Sequence, residues 1–179
     1  MTLLDRVAAA LREAGIPHAL IGAGALSVYG VNRATHDHDL FVLDNSCLQT
    51  APWADLLRQD VSVEIRKGDA SDPLAGVIRF RSPGEIPVDV VVGKLKWQRY
   101  VLDRATVRTV PEAEIPVVQA TDLILLKLYA GGPQDGWDIQ QLLEGMEGED
   151  RSAMVAEVTK NLPDLPPHAT KLWNRVIEG

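Results

Sequence analysis

Apolar residues follow two different spacings along this chain, and the change comes near Thr121. Before it, short apolar or alternating runs predict strands, and longer segments between them predict a few helices. After it, apolar residues recur every three or four positions, which predicts helices alone. The predicted strands are Ala19–Ile21, Thr35–Leu43, Val61–Ile65, Val77–Phe80, Pro87–Val92, Val107–Val110 and Val117–Val118. The predicted helices are Leu4–Ala14, Ala25–Tyr29, Ser46–Arg58, Leu95–Leu102, Thr121–Ala130, Asp135–Leu143, Arg151–Asn161 and the segment from Pro167 to Ile177.

The order of these elements predicts an α+β fold, with a mixed β-sheet flanked by helices. We expect one domain over residues 1–179, in which residues 1–118 form an α/β core and residues 119–179 form C-terminal helices packed on it. The first helix has clear borders. Thr2 followed by Asp5 predicts a capping box at its start, and Gly15 with Pro17 predicts its end.

Composition excludes several classes of protein. Of the 179 residues, 46% are apolar and 24% are charged, which is typical of a globular domain and excludes a disordered or collagen-like chain. The single cysteine, Cys47, excludes an internal disulfide and a multi-cysteine zinc site. The longest mostly apolar run, Ala19–Val31, is shorter than the ~20 residues that span a bilayer, and Asp5-Arg6 interrupts any signal peptide. We therefore expect a soluble, cytoplasmic protein without membrane contacts.

The net charge of −7 disfavours nucleic-acid binding over the whole surface. A basic segment interleaved with Trp97 and Tyr100 nevertheless leaves a local site open, because basic and aromatic side chains together bind RNA or nucleotides. The same pattern is also typical of a solvated helix face. Its basic residues are Lys94, Lys96, Arg99, Arg104 and Arg108.

Asp37 and Asp39 are the first candidates for chemistry. They are two residues apart on a predicted strand, so their side chains share one face. Two carboxylates so close repel each other unless a cation lies between them, and oxygen ligands of this kind suit Mg²⁺. A solvent-exposed strand end is the simpler interpretation of such a pair.

Two neighbouring features favour the cation. Gly22-Ala23-Gly24 ends a predicted strand and opens a helix, where small residues let main-chain N–H groups approach a phosphate. Asp89 lies within the valine-rich strand Val88–Val92, where an unpaired carboxylate is costly to bury. A shared metal explains Asp89, and so does a salt bridge or a strand-end position. His36 and His38 flank Asp37, but the carboxylates favour Mg²⁺ or Mn²⁺ over zinc.

In this order the features resemble the signature of the nucleotidyltransferase superfamily, whose members share a DNA polymerase β-like catalytic fold. That signature places an apolar residue, a glycine and a small residue before an Asp-apolar-Asp-apolar strand. Here Ile21-Gly22-Ala23 precedes Asp37-His38-Asp39-Leu40. The match departs from the family at Ala23, which lacks a serine hydroxyl, and at His38, where the family prefers an apolar residue.

The resemblance is closer to small bacterial members of the minimal and AbiEii-toxin-like kind, and it covers roughly residues 19–143. Those proteins carry an Arg-x-Thr stretch before the Asp pair, matched here by Arg33-Ala34-Thr35. They also carry a helix with a lysine and an alanine, followed by two aspartates three apart, matched by Lys127, Ala130, Asp135 and Asp138. Many relatives have basic residues in the loop before these aspartates, where this chain has Gly132 and Gln134.

The resemblance implies a nucleotidyltransferase fold and a two-metal site in which Asp37, Asp39 and Asp89 bind Mg²⁺ or Mn²⁺ and carry catalysis. The Gly22-Ala23 main chain is expected to hold the phosphates of a nucleoside triphosphate. Ser27 and Arg33 lie between this turn and the acids, so they are candidate nucleotide contacts.

Lys127 is a further candidate, because it interrupts an apolar helix where a lysine is rarely unpaired. A phosphate or an active-site carboxylate is a plausible partner, and a side chain that reaches solvent is the alternative. Asp135 and Asp138 share one helical face, and for Asp135 helix capping is the preferred interpretation.

The leading functional hypothesis is therefore the metal-dependent transfer of NMP from an NTP to an acceptor hydroxyl on RNA or tRNA, on a protein or on a small molecule. A toxin–antitoxin role with a partner protein is compatible with it. The alternative is a catalytically silent member that binds a nucleotide or a partner. A metal-dependent phosphohydrolase is a third hypothesis, because two metal ions can also activate water.

Overall fold

A computed structural model describes residues 1–111 and 113–178. Within them, seven strands form one mixed sheet in the order β3-β4-β5-β2-β1-β7-β6, and seven α-helices accompany it. The strands are β1 His18–Ile21, β2 His38–Val42, β3 Ser62–Lys67, β4 Gly76–Arg81, β5 Val88–Val92, β6 Thr106–Val110 and β7 Ala113–Val117. The helices are α1 Leu3–Glu13, α2 Gly22–Val28, α3 Arg99–Asp103, α4 Ala120–Ala130, α5 Asp135–Glu144, α6 Gly148–Asn161 and α7 Pro167–Glu178. The predicted α+β class is confirmed.

The middle of the sheet combines parallel and antiparallel pairs. β2 pairs antiparallel with β1 and parallel with β5, while β1 pairs parallel with β7. β3, β4 and β5 form an antiparallel meander on one side, and β6 and β7 form an antiparallel pair on the other. A tight turn cannot join two parallel strands. The parallel strands β2 and β5 are joined instead by a long segment that contains β3 and β4.

Apolar side chains cover one face of the sheet. Alternate residues of β2, β4 and β5 are fully buried there, next to α1 and the segment that follows β2. Trp53 packs edge-to-face on Phe80, with ring centroids 4.8 Å apart, and its indole N–H donates to the carbonyl of Cys47. The buried residues of the three strands are Leu40, Val42, Ile78, Phe80, Val88, Val90 and Val92.

The helix predicted over Ser46–Arg58 is wrong. Three short 3₁₀ helices occupy this segment, at Asn45–Leu48, Ala51–Trp53 and Leu56–Arg58. Pro52 cannot donate the main-chain hydrogen bond that a continuous helix would need from its nitrogen. Leu48, Trp53 and Leu56 of this segment are still buried, whereas Leu57 is exposed.

The first helix was predicted correctly. Thr2 accepts from the main chain of Asp5, and Asp5 in turn accepts from the main chain of Thr2, which completes the capping box. The predicted strand Thr35–Leu43 is shorter in the structure, since β2 begins at His38.

The chain divides into two compact units. The first, the sheet unit, comprises residues 1–24 and 34–118, and the second, the helical unit, comprises residues 25–33 and 119–179. In the helical unit, α4 contacts α5, α6 and α7. Its residues Leu123, Ile124, Leu125 and Leu128 are buried, as its nearly continuous apolar sequence predicts. No helix in the described part of the chain combines the length and apolarity that crossing a bilayer requires.

Cys47 provides a test of the packing around the 3₁₀ segment. Burial, reinforced by the charge of Asp44, raises the pKa of its thiol to about 12. At pH 8 only about one thiol in ten thousand is then ionised, so we expect no rapid reaction with Ellman's reagent in the native protein. In 6 M guanidinium chloride one thiol per chain should react at once. Fast release of the dye from the native protein would contradict this packing.

Candidate active site

A row of charged residues crosses four strands on the face opposite the apolar one. Asp39 of β2 lies beside Asp89 of β5 in the parallel register, and Asp89 lies opposite Arg79 of β4. Arg79 in turn lies opposite Glu64 of β3. Because directly paired residues share a face, Glu64, Arg79, Asp89 and Asp39 form one line, which we call the charged row. The sequence predicted its two aspartates but not their alignment.

Gly22 allows the main chain to approach Asp39 closely. A Cβ atom at Gly22 would lie 2.1 Å from Oδ2 of Asp39, and the residue has a φ of +62°. Both observations make a side chain at this position costly, because it would strain the backbone and displace the Asp39 carboxylate. The predicted glycine turn therefore does face the second aspartate of the pair, and its backbone conformation depends on glycine.

Arg79 supplies a positive charge next to Asp89 and Asp37. Its Nε donates to Oδ1 of Asp89 at 2.7 Å and its Nη2 donates to Oδ2 at 2.5 Å, a bidentate pair. The same Nη2 lies 3.2 Å from Oδ2 of Asp37. The hydrogen bonds that Arg79 donates to Asp89, with the nearby charges of Asp89, Asp37 and Asp39, raise the pKa of the Arg79 guanidinium above its ordinary value. A salt bridge, one of the alternatives to a shared metal for Asp89, is thus present, with a residue that the sequence did not single out.

Asp37 precedes β2 and is held by a local turn. The Thr35 hydroxyl donates to the main-chain carbonyl of Asp37 at 2.8 Å and lies 3.2 Å from its carboxylate. The His38 main-chain N–H then donates to Pro87, where the pairing with β5 begins. Thr35 of the Arg-x-Thr stretch therefore positions the first aspartate. His38 is buried and belongs to the opposite face, in agreement with the alternation along the strand.

The three aspartates offer the oxygen donors that Mg²⁺ or Mn²⁺ prefers, on neighbouring positions of one sheet face. Their present arrangement is not a finished metal site. Among residues 1–111 and 113–178, no three acidic, imidazole or thiol side chains are grouped so that they could hold one ion. Both oxygens of Asp89 are directed to Arg79. Three carboxylates are suitable ligands for a divalent cation. Asp89 is not free to act as one of them in this structure, because its bidentate pair with Arg79 uses both of its oxygens.

A cavity of about 400 Å³ opens beside Asp89 and Arg79. Val77 and Leu74 supply apolar surface, and the remaining wall comes from β3 and the connection between β3 and β4. Three of its lining residues are acidic and three are basic, so their charges balance: Glu64, Asp72, Asp89, Arg66, Lys67 and Arg79. A cavity of this size accommodates a small organic molecule.

A second set of charges lies in the helical unit around Lys127. Its Nζ is 2.5 Å from Oδ2 of Asp138 and 3.2 Å from Oδ1 of Asp135. Asp138 is fully buried and Lys127 is 7% exposed. Carboxylates therefore surround this ammonium group, and the alternative of a lysine reaching solvent is wrong. A contact with nucleotide phosphates stays a prediction for Lys127.

Arg33 joins the same set. Its Nε lies 3.4 Å from Oδ1 of Asp138, and its Nη1 donates to Gln134 at 2.6 Å. Asp135 accepts from the main chain of Gly132, so its carboxylate closes the loop before α5 in addition to binding Lys127. Arg33 of the Arg-x-Thr motif thus meets the aspartates of the Lys…Asp…Asp motif in one ion-pair cluster. Their spacing in the sequence gave no indication of that contact.

The remaining predicted residues lie on α2. Ala23 is buried in its first turn, and Ser27 is exposed on its last turn. Nucleotide binding by Ser27, Ala23 and Arg33 remains a prediction. Arg79 is the residue that sequence reasoning missed. The alternation of Val77, Ile78, Arg79 and Phe80 does place Arg79 on the polar face, but only the strand register shows that it meets Asp89.

Comparisons with known proteins bear on the family and on the fold. The family described as "Nucleotidyl transferase of unknown function (DUF2204)" matches residues 1–176. An antigenic nucleotidyltransferase-like protein from Paracoccidioides brasiliensis is similar in structure, with a TM-score of 0.50 and 17% identity over 92% of this chain and 89% of that one. No curated protein sequence matches this chain.

The antibiotic-resistance factor ANT(2″)-Ia is also similar. Its solution structure gives a TM-score of 0.53 at 13% identity, over 89% of this chain and 90% of that one. Its crystal structure with adenylyl-2″-tobramycin gives 0.51 at 15% identity, over 87% and 94%. At these identities the likeness shows the fold alone, and the predicted nucleotidyltransferase fold is confirmed.

Substitution of Gly22 tests the close approach to Asp39. Gly15 is a matched control, because it has a φ of +68° and nothing within 4 Å of an added Cβ. We expect Gly15→Ala to lower the free energy of unfolding by about 1 kcal/mol, from backbone strain alone. Gly22→Ala should cost about 1–3 kcal/mol more, because the methyl group displaces the Asp39 carboxylate. Equal losses in urea denaturation would show that Asp39 does not constrain this position.

Removal of the Lys127 charge tests the buried ion pair. We expect Lys127→Met to lower the free energy of unfolding by about 3–5 kcal/mol, because the buried Asp138 loses its hydrogen-bonded cation and keeps only the longer contact with Arg33. The exposed pair of Arg58 with Asp55 is the control, and Arg58→Met should cost less than about 1 kcal/mol. The measurement is urea denaturation of both variants. Similar losses would mean that Lys127 contributes no more than a surface ion pair.

Proposed function

Because this chain belongs to the family of nucleotidyl transferases of unknown function (DUF2204), we propose that it is a metal-dependent nucleotidyltransferase. In this reaction an acceptor hydroxyl attacks the α-phosphorus of an NTP. The bond from that phosphorus to the bridging oxygen breaks, pyrophosphate leaves and NMP stays on the acceptor. The observation that carries the proposal is the alignment of Asp39 with Asp89 on adjacent strands, with the Gly22 main chain pressed against Asp39.

Each residue of the sheet unit has a role in this proposal. Asp37, Asp39 and Asp89 would hold Mg²⁺ or Mn²⁺, which neutralises phosphate charge and lowers the pKa of the acceptor hydroxyl. The Gly22 and Ala23 main chain is assigned to the NTP phosphates. In this proposal Asp89, which lines the cavity, also receives the proton of the acceptor hydroxyl.

The charge and volume of the cavity also favour one class of acceptor. Its lining charges balance, whereas a polynucleotide backbone requires a predominantly basic surface. Its volume of about 400 Å³ suits a molecule of drug size. Both observations favour a small hydroxyl-bearing acceptor over RNA or a protein side chain. ANT(2″)-Ia, whose crystal structure contains adenylyl-2″-tobramycin, is an example of this class on the same fold.

A catalytically silent nucleotide-binding protein is the second candidate, and one observation favours it. The bidentate pair with Arg79 occupies both oxygens of Asp89, so three aspartates are not free to bind a cation together. The toxin–antitoxin role and its partner protein rest on the sequence resemblance alone.

Transfer of labelled NMP tests the function. The protein is incubated with Mg²⁺ and with each NTP in turn, labelled at the α-phosphate. Three acceptor mixtures are tested separately: total RNA, protein lysate and the low-mass fraction of a cell extract. We expect label on the low-mass fraction, and a loss of about a hundredfold or more in Asp37→Asn, Asp39→Asn and Asp89→Asn. Asp55→Asn, an exposed carboxylate on the 3₁₀ segment, should keep full activity.

The products separate the candidates. Label on RNA or protein would contradict the small acceptor but support nucleotidyl transfer. Mg²⁺-dependent NTP binding without any transfer would support the silent protein, and release of phosphate without a labelled acceptor would support a phosphohydrolase.

A further inference from the structure

The Asp89 carboxylate is occupied at the point where the proposed chemistry needs it. Arg79 donates to both of its oxygens, and the same guanidinium reaches Asp37. A divalent ion bound by Asp89 would lie next to a cation that cannot lose its charge in the working pH range. Arg79 uses both oxygens of Asp89 and repels a second cation beside them, so a metal ion bound by Asp89 has to displace Arg79.

We propose that Arg79 competes with the divalent cation for Asp89, and that Asp89 becomes a metal ligand only after Arg79 has left it. This inference rests on the proposed function, because that function requires a divalent cation. It gives Arg79 control over when the metal site is assembled.

The arginine is the partner that can move. Asp89 lies within β5 with a side chain that is only 10% exposed, whereas the side chain of Arg79 is 38% exposed. Arg79 therefore has solvent on one side, and Asp89 is fixed by the strand. Glu64, the directly opposite residue of β3, already accepts from Arg66 and Arg81, so a displaced Arg79 turns toward solvent.

The energetic cost of displacement predicts a measurable effect. Hydrogen bonds to charged groups contribute about 1.5–3 kcal/mol, which corresponds to a factor of roughly ten to a hundred in affinity. Removal of Arg79 should therefore tighten divalent cation binding by about that factor, although it removes a structural ion pair. A role for Arg79 as a metal-independent stabiliser predicts no such gain.

Titration with Mn²⁺ alone, followed by electron paramagnetic resonance of the free ion, measures this directly. We expect Arg79→Gln to bind Mn²⁺ about ten- to a hundredfold more tightly than wild type. Arg79→Lys, which keeps the charge but loses the bidentate fork, should lie between them. Arg66→Gln is the matched control, since Arg66 lies on the same sheet face and lines the same cavity without touching Asp89. It should change Mn²⁺ affinity less than about twofold.

A double variant tests whether the gain passes through Asp89. Adding Asp89→Asn to Arg79→Gln should return the affinity to near the wild-type value. If the gain persists without Asp89, or if Arg66→Gln gives the same gain, general loss of positive charge explains it and the proposal is overturned. Circular dichroism checks that each variant folds, and Arg79→Lys keeps the test valid should Arg79→Gln unfold.

The outcome also separates this inference from the function on which it rests. Wild-type Mn²⁺ binding that Asp39→Asn abolishes, but that Arg79→Gln and Arg79→Lys leave unchanged, overturns the competition and leaves metal-dependent transfer standing. Absence of Mn²⁺ binding in wild type and in every Arg79 variant overturns both the competition and the metal dependence.

Discussion

The parallel register between β2 and β5 is the constraint on which the candidate site depends. It sets Asp39 beside Asp89, although fifty residues separate them in the chain. A slip of one residue would turn Asp89 into the apolar face, beside Leu40 of β2 and Ile78 of β4, where a carboxylate has no partner, and would turn Val88 and Val90 out of it. The buried valines of β5 therefore fix the position of its single charge. Burial on one face and chemistry on the other are two results of the same alternation.

Close approach and charge compensation complete the site. Gly22 lets the main chain contact Asp39 at a distance that any side chain would prevent. The resulting concentration of three carboxylates needs a cation, and in this structure Arg79 supplies it. An arginine in this position compensates the carboxylates. Under the proposed function it would also keep Asp89 from a metal, so that stability of the resting protein and assembly of the metal site would oppose each other at one ion pair.

The helical unit also contains a buried carboxylate whose charge is compensated by ion pairs. Its buried Asp138 is paired with Lys127 and lies near Arg33, two cations from distant parts of the sequence. Such a cluster costs free energy to desolvate, and it is tolerated because every charge in it is compensated. In this half of the chain the family resemblance rests mainly on Lys127, Asp135 and Asp138. All three therefore form ion pairs within the helical unit.

The sequence by itself determined the order and type of most elements, because apolar periodicity reports burial directly. It also determined the identity of Asp37, Asp39, Asp89 and the Gly22 turn, since carboxylates and small residues in these patterns are unusual on chemical grounds. It failed over Ser46–Arg58, where apolar spacing suits a helix but Pro52 interrupts the hydrogen bonding. Only the tertiary structure decided that Arg79 holds Asp89 and that Arg33 meets Asp138. Those contacts depend on strand register and helix packing, which bring together residues that no local pattern connects.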